Sequence, residues 1–511
     1  MPVPAAEQKN YPGPEGPSRI SLLPLDSRPC NTRFPLTLAR IAGEKLMLPD
    51  RLFMDYFTRP AWLPYIDEWL LEAARKSEYL ILSLDMLCYG GLIASRGAGQ
   101  AGAVSRLDIV PKLKALNPRL RIFAFSVIMR GSITTIDEKS RHYWELINEY
   151  SRLKGLGDPR YRELESRIPG ELLDAYLGAR KRNHLVNMGA VDLLNGNIID
   201  CLILLQEDSS TGGIQQFEQK VLAERVTVEM ADRLFIHNGA DEGAMLLLGR
   251  ILNEKSPPSI QWEFLNSGGK GMTAAYEDRP LIENLESQIR AAGMIPRDGD
   301  SSLRLLILSP KTAVQQNSQA QYGGTEDYTE VELDEMVSRI EAVLDAGKTA
   351  GLLDAAYANG GHLAFMQKIR ERNLLGCLRF RGVFPRRIIH AYAGWNTASN
   401  SLGTVLSQLS ALLRSRQIGV SPEMNSVFTL ERYLDDCLYQ SMVRPRIEAR
   451  LKAEGRNVLN LGAAKNEVEG WIFKELKALA PELDFSFSLP WPRSFEGDIE
   501  IGGSPHPKYY A

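Results

Sequence analysis

Short apolar runs of strand length alternate along this chain with longer stretches whose apolar residues recur near i, i+3, i+4 and i+7. That is the pattern of βα units feeding a parallel sheet. Nine runs qualify: ISLLPLD (20–26), YLILSLD (79–85), RIFAFSV (121–127), DCLILLQED (200–208), RLFIHN (233–238), IQWEFLN (260–266), LRLLILS (303–309), AGLLDAA (350–356) and IIHAYAGW (388–395). Amphipathic segments such as LPYIDEWLLEAARK and SLGTVLSQLSALLRS lie between them. Eight strands close a barrel, so the expected class is α/β, a (β/α)8-barrel-like parallel sheet with IQWEFLN standing outside it. An open doubly wound sheet is the rival, because periodicity does not report closure. The barrel is expected over residues 20–420 and a C-terminal helical cap over 421–511; the Pro-, Gly- and charge-rich residues 1–19 read as a disordered tail.

The chemistry is expected where strands run into their following loops. Apolar runs there end repeatedly in polar clusters: Asp26, Arg28 and Asn31; Asp85 and Tyr89; Arg130; Glu207 and Asp208; His237, Asn238 and Asp241; Asp354; Trp395 and Asn396. A single such cluster is as readily a local ion pair as a site. Many on one rim are costly unless something binds there. Adjacent Glu207 and Asp208 are the sharpest element, because two neighbouring carboxylates repel and one then keeps its proton more readily, which suits a general acid. Trp395 followed by Asn396 offers an indole face and an amide, a platform for a sugar.

Composition narrows the classes. Among 511 residues the formal charge is -3, with no basic run interleaved with aromatics, which excludes nucleic acid as the expected partner. Five scattered cysteines and the absence of an apolar leader or a bilayer-length apolar stretch point to a reducing, cytoplasmic setting away from membranes. With few histidines and no H-x-x-x-H or H-x-H pair, no metal centre and no cofactor are expected. There is no G-x-S-x-G elbow, no phosphate loop and no G-x-G-x-x-G unit after a strand, which sets aside serine hydrolases, P-loop enzymes and nicotinamide enzymes.

The strings PLDSRPCN, LLQEDSS, HNGADEG, LLDAAYANGG and AYAGWNTASNSLG together resemble a bacterial domain-of-unknown-function family found in Paenibacillus-like Gram-positive organisms, from residue 20 onward. That resemblance brings no activity. A second one is mechanistic: hexosaminidases with substrate-assisted catalysis carry two successive carboxylates at the end of the fourth barrel strand, and Glu207-Asp208 ends the fourth apolar run here. By that resemblance Glu207 orients the 2-acetamido group of the substrate and Asp208 is the acid/base, although the family's first carboxylate is usually Asp.

The expected function is therefore a retaining β-N-acetylhexosaminidase or β-N-acetylgalactosaminidase acting on a small or oligosaccharide substrate. Its catalytic residues are Glu207 and Asp208, and its substrate-binding residues are Asp26, Arg28, Asp85, Tyr89, Arg130, His237, Asn238, Asp241, Asp354, Trp395 and Asn396. Two alternatives stand beside it: a metal-assisted hydrolase or deacetylase using Asp26, His237, Asp241 and Asp354, and a non-catalytic carbohydrate-binding protein. Oligomeric state is left open.

Overall fold

In the computed structural model, which describes residues 18–97, 102–210, 212–312, 328–376, 387–420 and 422–502, all nine apolar runs form strands. β1 (Ile20–Leu23), β2 (Leu46–Met47), β3 (Tyr79–Ser83), β4 (Arg121–Ile128), β5 (Cys201–Gln206) and β6 (Leu234–Asn238) form one sheet in the order β2-β1-β3-β4-β5-β6. β7 (Ser259–Phe264), β8 (Ile295–Pro296), β9 (Leu303–Leu308), β10 (Thr349–Asp354) and β11 (Ala391–Ala393) form a second sheet in the order β11-β10-β9-β7-β8. Every pairing within these two sheets is parallel. Strands β1, β3, β4, β5, β9, β10 and β11 bury nearly every residue.

The class and the parallel pairing are as the pattern implies, while the grouping of the strands differs. Among the described residues no pairing closes a cylinder; the strands divide into two open sheets. IQWEFLN is no excursion either, since β7 sits inside the second sheet between β8 and β9. The two-residue strands β2 and β8 are too short to leave a periodic signal, and β2 makes the Glu207-Asp208 strand the fifth in the chain.

Side-chain alternation explains the layering. Ile20, Leu22, Phe123, Phe125, Ile203 and Leu205 of the first sheet share one core with Leu303, Leu305, Ile307, Leu353 and Ala391 of the second. Between them lie four helices, Arg33–Ile41, Gly243–Asn253, Leu281–Ala291 and Ala398–Ile418. The alternate residues face outward: Leu80, Leu82, Ile122 and Leu202 meet helices Leu63–Lys76 and Gly170–Asn195. On the far side Leu306, Leu308 and Leu352 meet helices Glu330–Asp345 and Leu363–Glu371. The stack is helix, sheet, helix, sheet, helix.

The C-terminal region is helical, as expected, over Glu423–Arg432, Tyr433–Val443, Arg444–Ala453 and Lys465–Leu479, and adds an antiparallel ribbon of β12 (Phe485–Ser488) and β13 (Asp498–Ile501). It is bonded into the first sheet's helices and is more than a cap. Arg33 donates to Asp498 at 2.6 Å, to Glu431 at 2.8 Å and to the Ile499 carbonyl at 2.9 Å. Of the expected N-terminal tail, residues 1–17 lie outside the described residues. Among the described residues no helix is long and apolar enough to cross a membrane.

Candidate functional site

β1 ends at Leu23, and the chain turns through Asp26, Ser27 and Arg28 into the helix Arg33–Ile41. Arg28 is the hub. Its guanidinium donates to Asp26 (Nη2 to Oδ2, 2.6 Å), to Asp241 in the loop after β6 (Nη1 to Oδ2, 3.2 Å) and to Glu496 just before β13 (Nη1 to Oε1, 3.4 Å). Asn31 donates to Asp26 at 2.9 Å and to Asp241 at 3.2 Å, and Asn396, from the loop after β11, donates to Asp241 at 3.2 Å. The carboxyl ends of the two sheets therefore meet at Asp241. Burial opposes charge on Arg28, but Asp241 and Asp26 outweigh it and hold the guanidinium firmly protonated. Burial also pushes the Asp241 carboxyl up, against the pull of Arg28.

A second group flanks the hub. Arg96, in the turn after the helix Leu92–Ser95, grips both oxygens of Glu207, with Nε to Oε2 at 3.1 Å. Arg130, after β4, donates to Asp208 at 2.6 Å. Burial pushes Arg96 well below the usual arginine range, and Arg130 adds to that push; Asp208 opposes it, while Arg28 and Arg493 repel. Arg130, Asp208, Arg28 and Arg493 are thus all near enough for their charges to act on Arg96. Asp85 joins them from the first turn of the helix Leu84–Tyr89, where it accepts from the Val127 amide at 2.8 Å. Burial drives its carboxyl up to about 7, with Arg96 opposing the rise and Asp26 adding to it.

The side chains of Asp208 (32%), Arg493 (19%) and Arg130 (15%) stay partly exposed, as do Asn396 and Phe495. Among the described residues five of the seven non-glycine residues with positive φ lie in loops on this side, the other two, Asn197 and Asn373, following helices. Phe57 (φ 54°), Asp208 (φ 21°), Tyr276 (φ 66°), Asn359 (φ 61°) and Asn396 (φ 67°) all lie in loops beyond strand carboxyl ends or contacting them. Such strain survives only where the surroundings over-determine it.

Asp26, Arg28, Asp85, Arg130, Glu207, Asp208, Asp241 and Asn396 are thus brought together; five others are not. Trp395, expected to present its indole to a ligand, is buried at 5% exposure and packs against Phe495 at 5.6 Å between ring centres. Tyr89 turns into the outer core with Leu87 and Cys88. His237 is fully buried, its Nδ1 on the Asn238 carbonyl at 2.8 Å, and burial pushes it down to about 4. Asn238 is tied to Asn284, whose Nδ2 reaches its Oδ1 at 3.0 Å. Asp354 accepts from the His362 amide at 2.7 Å and faces Tyr392 on the second sheet. Of the metal set, Asp26 and Asp241 share Arg28 and Asn31 while His237 and Asp354 have other partners, and among the described residues no three His, Cys, Asp or Glu side chains are arranged to hold a metal ion. The repulsion inferred between Glu207 and Asp208 is also answered differently, because each carboxylate has its own arginine.

Several site residues left no usable signal in the pattern. Asp55 accepts from the Ser27 amide at 2.7 Å, and Arg96 follows the Gly90-Gly91 turn without ending an apolar run. Arg493, Glu496 and Trp491 lie in a stretch that reads as a C-terminal tail. Trp491 donates from Nε1 to Ser27 at 3.1 Å, and the Arg28 guanidinium lies over its ring at 5.1 Å.

A family model described as "Protein of unknown function (DUF4127)" matches residues 20–500. No curated protein and no solved structure matches the chain.

Proposed function

We propose that this chain, which belongs to the DUF4127 family, is a retaining glycoside hydrolase that releases a terminal N-acetylhexosamine with help from the substrate's own 2-acetamido group. The observation that carries the reading is the divergence of two adjacent carboxylates. Glu207 is buried in the fork of Arg96, whereas Asp208 opens to solvent beside Arg130. A carboxyl held in the two-pronged fork of an arginine keeps its direction and still has lone pairs to accept from an amide N–H. That is what orienting an acetamido group requires. A carboxyl at the mouth can instead meet both leaving group and water.

In the first step the acetamido oxygen attacks the anomeric carbon, the glycosidic C–O bond breaks, and Asp208 gives its proton to the departing oxygen. Glu207 accepts the amide N–H as the oxazoline ring forms. In the second step Asp208 takes a proton from water, whose oxygen attacks the anomeric carbon and opens the ring with overall retention. Arg28, Asn31 and Asn396 fix Asp26 and Asp241 in the interior, which holds the loops after β1, β6 and β11 in one arrangement.

The test is a panel of β-glycosides. Asp208→Asn is expected to slow a poor leaving group by ~10²–10⁴-fold and an activated nitrophenyl group far less. Glu207→Gln is expected to lower kcat across all leaving groups, and a thiazoline mimic of the oxazoline is expected to inhibit the wild type. Comparable hydrolysis of a β-hexoside lacking the acetamido group, or full activity in a Glu207→Ala, Asp208→Ala double variant, would overturn the reading.

A further inference from the structure

Phe495 stands beside three side chains whose hydrogen-bond donors no acceptor answers. Arg444 opens the helix Arg444–Ala453 and is 8% exposed, its guanidinium 5.1 Å from the centre of the Phe495 ring. Among the described residues it forms no ion pair and no hydrogen bond, and its Nε is enclosed. Glu448, one turn further along that helix, accepts instead from Ser494 at 2.8 Å. Trp395 packs its ring near Phe495 at 5.6 Å, yet its buried Nε1 donates to nothing. Arg493 lies 5.5 Å from the same ring; its Nε and Nη2 hold Glu496, and its Nη1 has no partner among the described residues.

A ring attracts a cation but leaves the N–H donors of a guanidinium unsatisfied. Two arginines at one ring repel each other, and burying donors unanswered is costly. Other buried arginines of this chain are answered: Arg28, Arg33 and Arg180 each meet a carboxylate. The segment that carries Phe495 is pinned, since Gln440 donates to the Phe495 carbonyl at 3.1 Å, Tyr439 to the Ser494 carbonyl and the Arg493 amide to the Trp491 carbonyl at 2.8 Å. The donors are therefore in place before anything binds. They also adjoin the hub. Arg493 and Arg28 share Glu496, through Nε to Oε2 at 2.7 Å and Nη1 to Oε1 at 3.4 Å, and Asn396, next to Trp395 in the chain, donates to Asp241 at 3.2 Å. Arg493 is near enough to Arg96, which grips Glu207, for its charge to act there.

We propose that Arg444, Arg493 and the Trp395 indole N–H form a binding site for a phosphate or sulfate group carried by the substrate. The inference rests on the glycosidase reading for the identity of the sugar, and on the three donors alone for the anion. A neutral hydroxyl both donates and accepts, whereas this spot offers donors and positive charge only. Three donor residues suit the three terminal oxygens of a phosphate or sulfate ester better than the two of a carboxylate, and arginine forks match such oxygens in pairs. The Arg493 side chain, 19% exposed, leaves the group a way in from solvent. The substrate class narrows accordingly to acidic N-acetylhexosaminides.

The experiment measures, by calorimetry on the full chain, binding of the 6-phosphates of N-acetylglucosamine and N-acetylgalactosamine, of the two parent sugars and of inorganic phosphate. The wild type is expected to bind one phosphorylated sugar at least about tenfold more tightly than its parent. Arg444→Gln should cut that preference about tenfold and Arg444→Lys should keep part of it, because charge remains while the fork is lost. Trp395→Phe, which removes one donor at similar volume, should weaken the phosphorylated sugar several-fold, and it decides the matter where Arg444→Gln does not fold. No preference for either phosphorylated sugar in the wild type, or a preference that both Arg444→Gln and Trp395→Phe leave intact, would overturn the site. Inorganic phosphate bound as tightly as the phosphorylated sugar would make it a site for a free anion and overturn its assignment to the substrate. Hydrolysis of neutral and 6-sulfated nitrophenyl N-acetylhexosaminides separates this inference from the mechanism: a chain that cleaves neither yet keeps the binding preference retains the anion site and loses the glycosidase reading.

Discussion

The carboxyl of Glu242 sits one residue beyond Asp241, fully enclosed between β6 and the central helices. It accepts from the Ala240 amide at 3.1 Å and lies 4.0 Å from Nδ1 of His237. Burial, aided by Asp241 and Glu277, pushes it up to about 8, so it is protonated in the folded chain at neutral pH. An unfolded glutamate ionises near 4.3, so the folded state binds the extra proton between these values. Glu242 therefore contributes stability that is whole below the unfolded value and is lost as pH rises through about 8. Glu242→Gln, neutral at every pH, is expected to flatten the fall in urea midpoint between about pH 5 and 9 and to be the more stable protein at the alkaline end, by a few kcal/mol. His237 acts at the other side, since its lowered value costs stability only as pH falls toward about 4. An unchanged alkaline slope in the variant would contradict the assignment. Acidic residues at strand ends were legible one by one because strands expose their ends. That Arg96 would hold Glu207 and Arg130 would hold Asp208 was not, because those partners lie 111 and 78 positions away.

At the scale of elements, two glycines should respond oppositely to the same added methyl. Gly351 lies mid-strand in β10 under the helix Ala398–Ile418, where a Cβ would lie 2.6 Å from Val405 Cγ1 and 2.9 Å from Leu409 Cδ1. Gly470 sits exposed in the helix Lys465–Leu479 with nothing within 4 Å of an added Cβ. Gly351→Ala is expected to cost about 1–3 kcal/mol through overpacking, and Gly470→Ala to add about 0.5–1 kcal/mol through helix propensity. Equilibrium denaturation of both variants decides, and a stabilising Gly351→Ala would remove the close sheet-to-helix contact from the account. The nine longer parallel strands were readable because nearly all of them bury a continuous apolar run. Their division into two sheets was not, because a strand facing helices on both sides has the same composition in a barrel, an open sheet or a pair of sheets. β7 shows the difficulty: Glu263 and Gln261 make IQWEFLN look peripheral, yet Glu263 is answered by Arg339 and Gln261 by Arg304 from neighbouring elements.

The whole molecule has a central core that belongs to neither sheet alone. Residues of β1, β4 and β5 and residues of β9, β10 and β11 close on the same four helices. Polar links cross at the same level: Asn396 to Asp241 at 3.2 Å and Asn253 to Ser410 at 2.9 Å. The C-terminal ribbon adds a third tie through Arg33 and Asp498 at 2.6 Å. A lobe that opened alone would expose its share of the central core and strand the carboxylates that its partner satisfies, which costs far more than loop fraying. Unfolding is therefore expected to be cooperative across both sheets. Native-state hydrogen exchange should give β4 and β10 amides the same opening free energy, and tryptophan fluorescence and far-UV dichroism should report one denaturant midpoint. A β10 that exchanges well below β4, with a second transition at lower denaturant, would mean that the sheets are separate folding units. The meeting of Asp241 with Asn396 would then be a contact that forms only when the two dock, and the cleft would be assembled by domain closure.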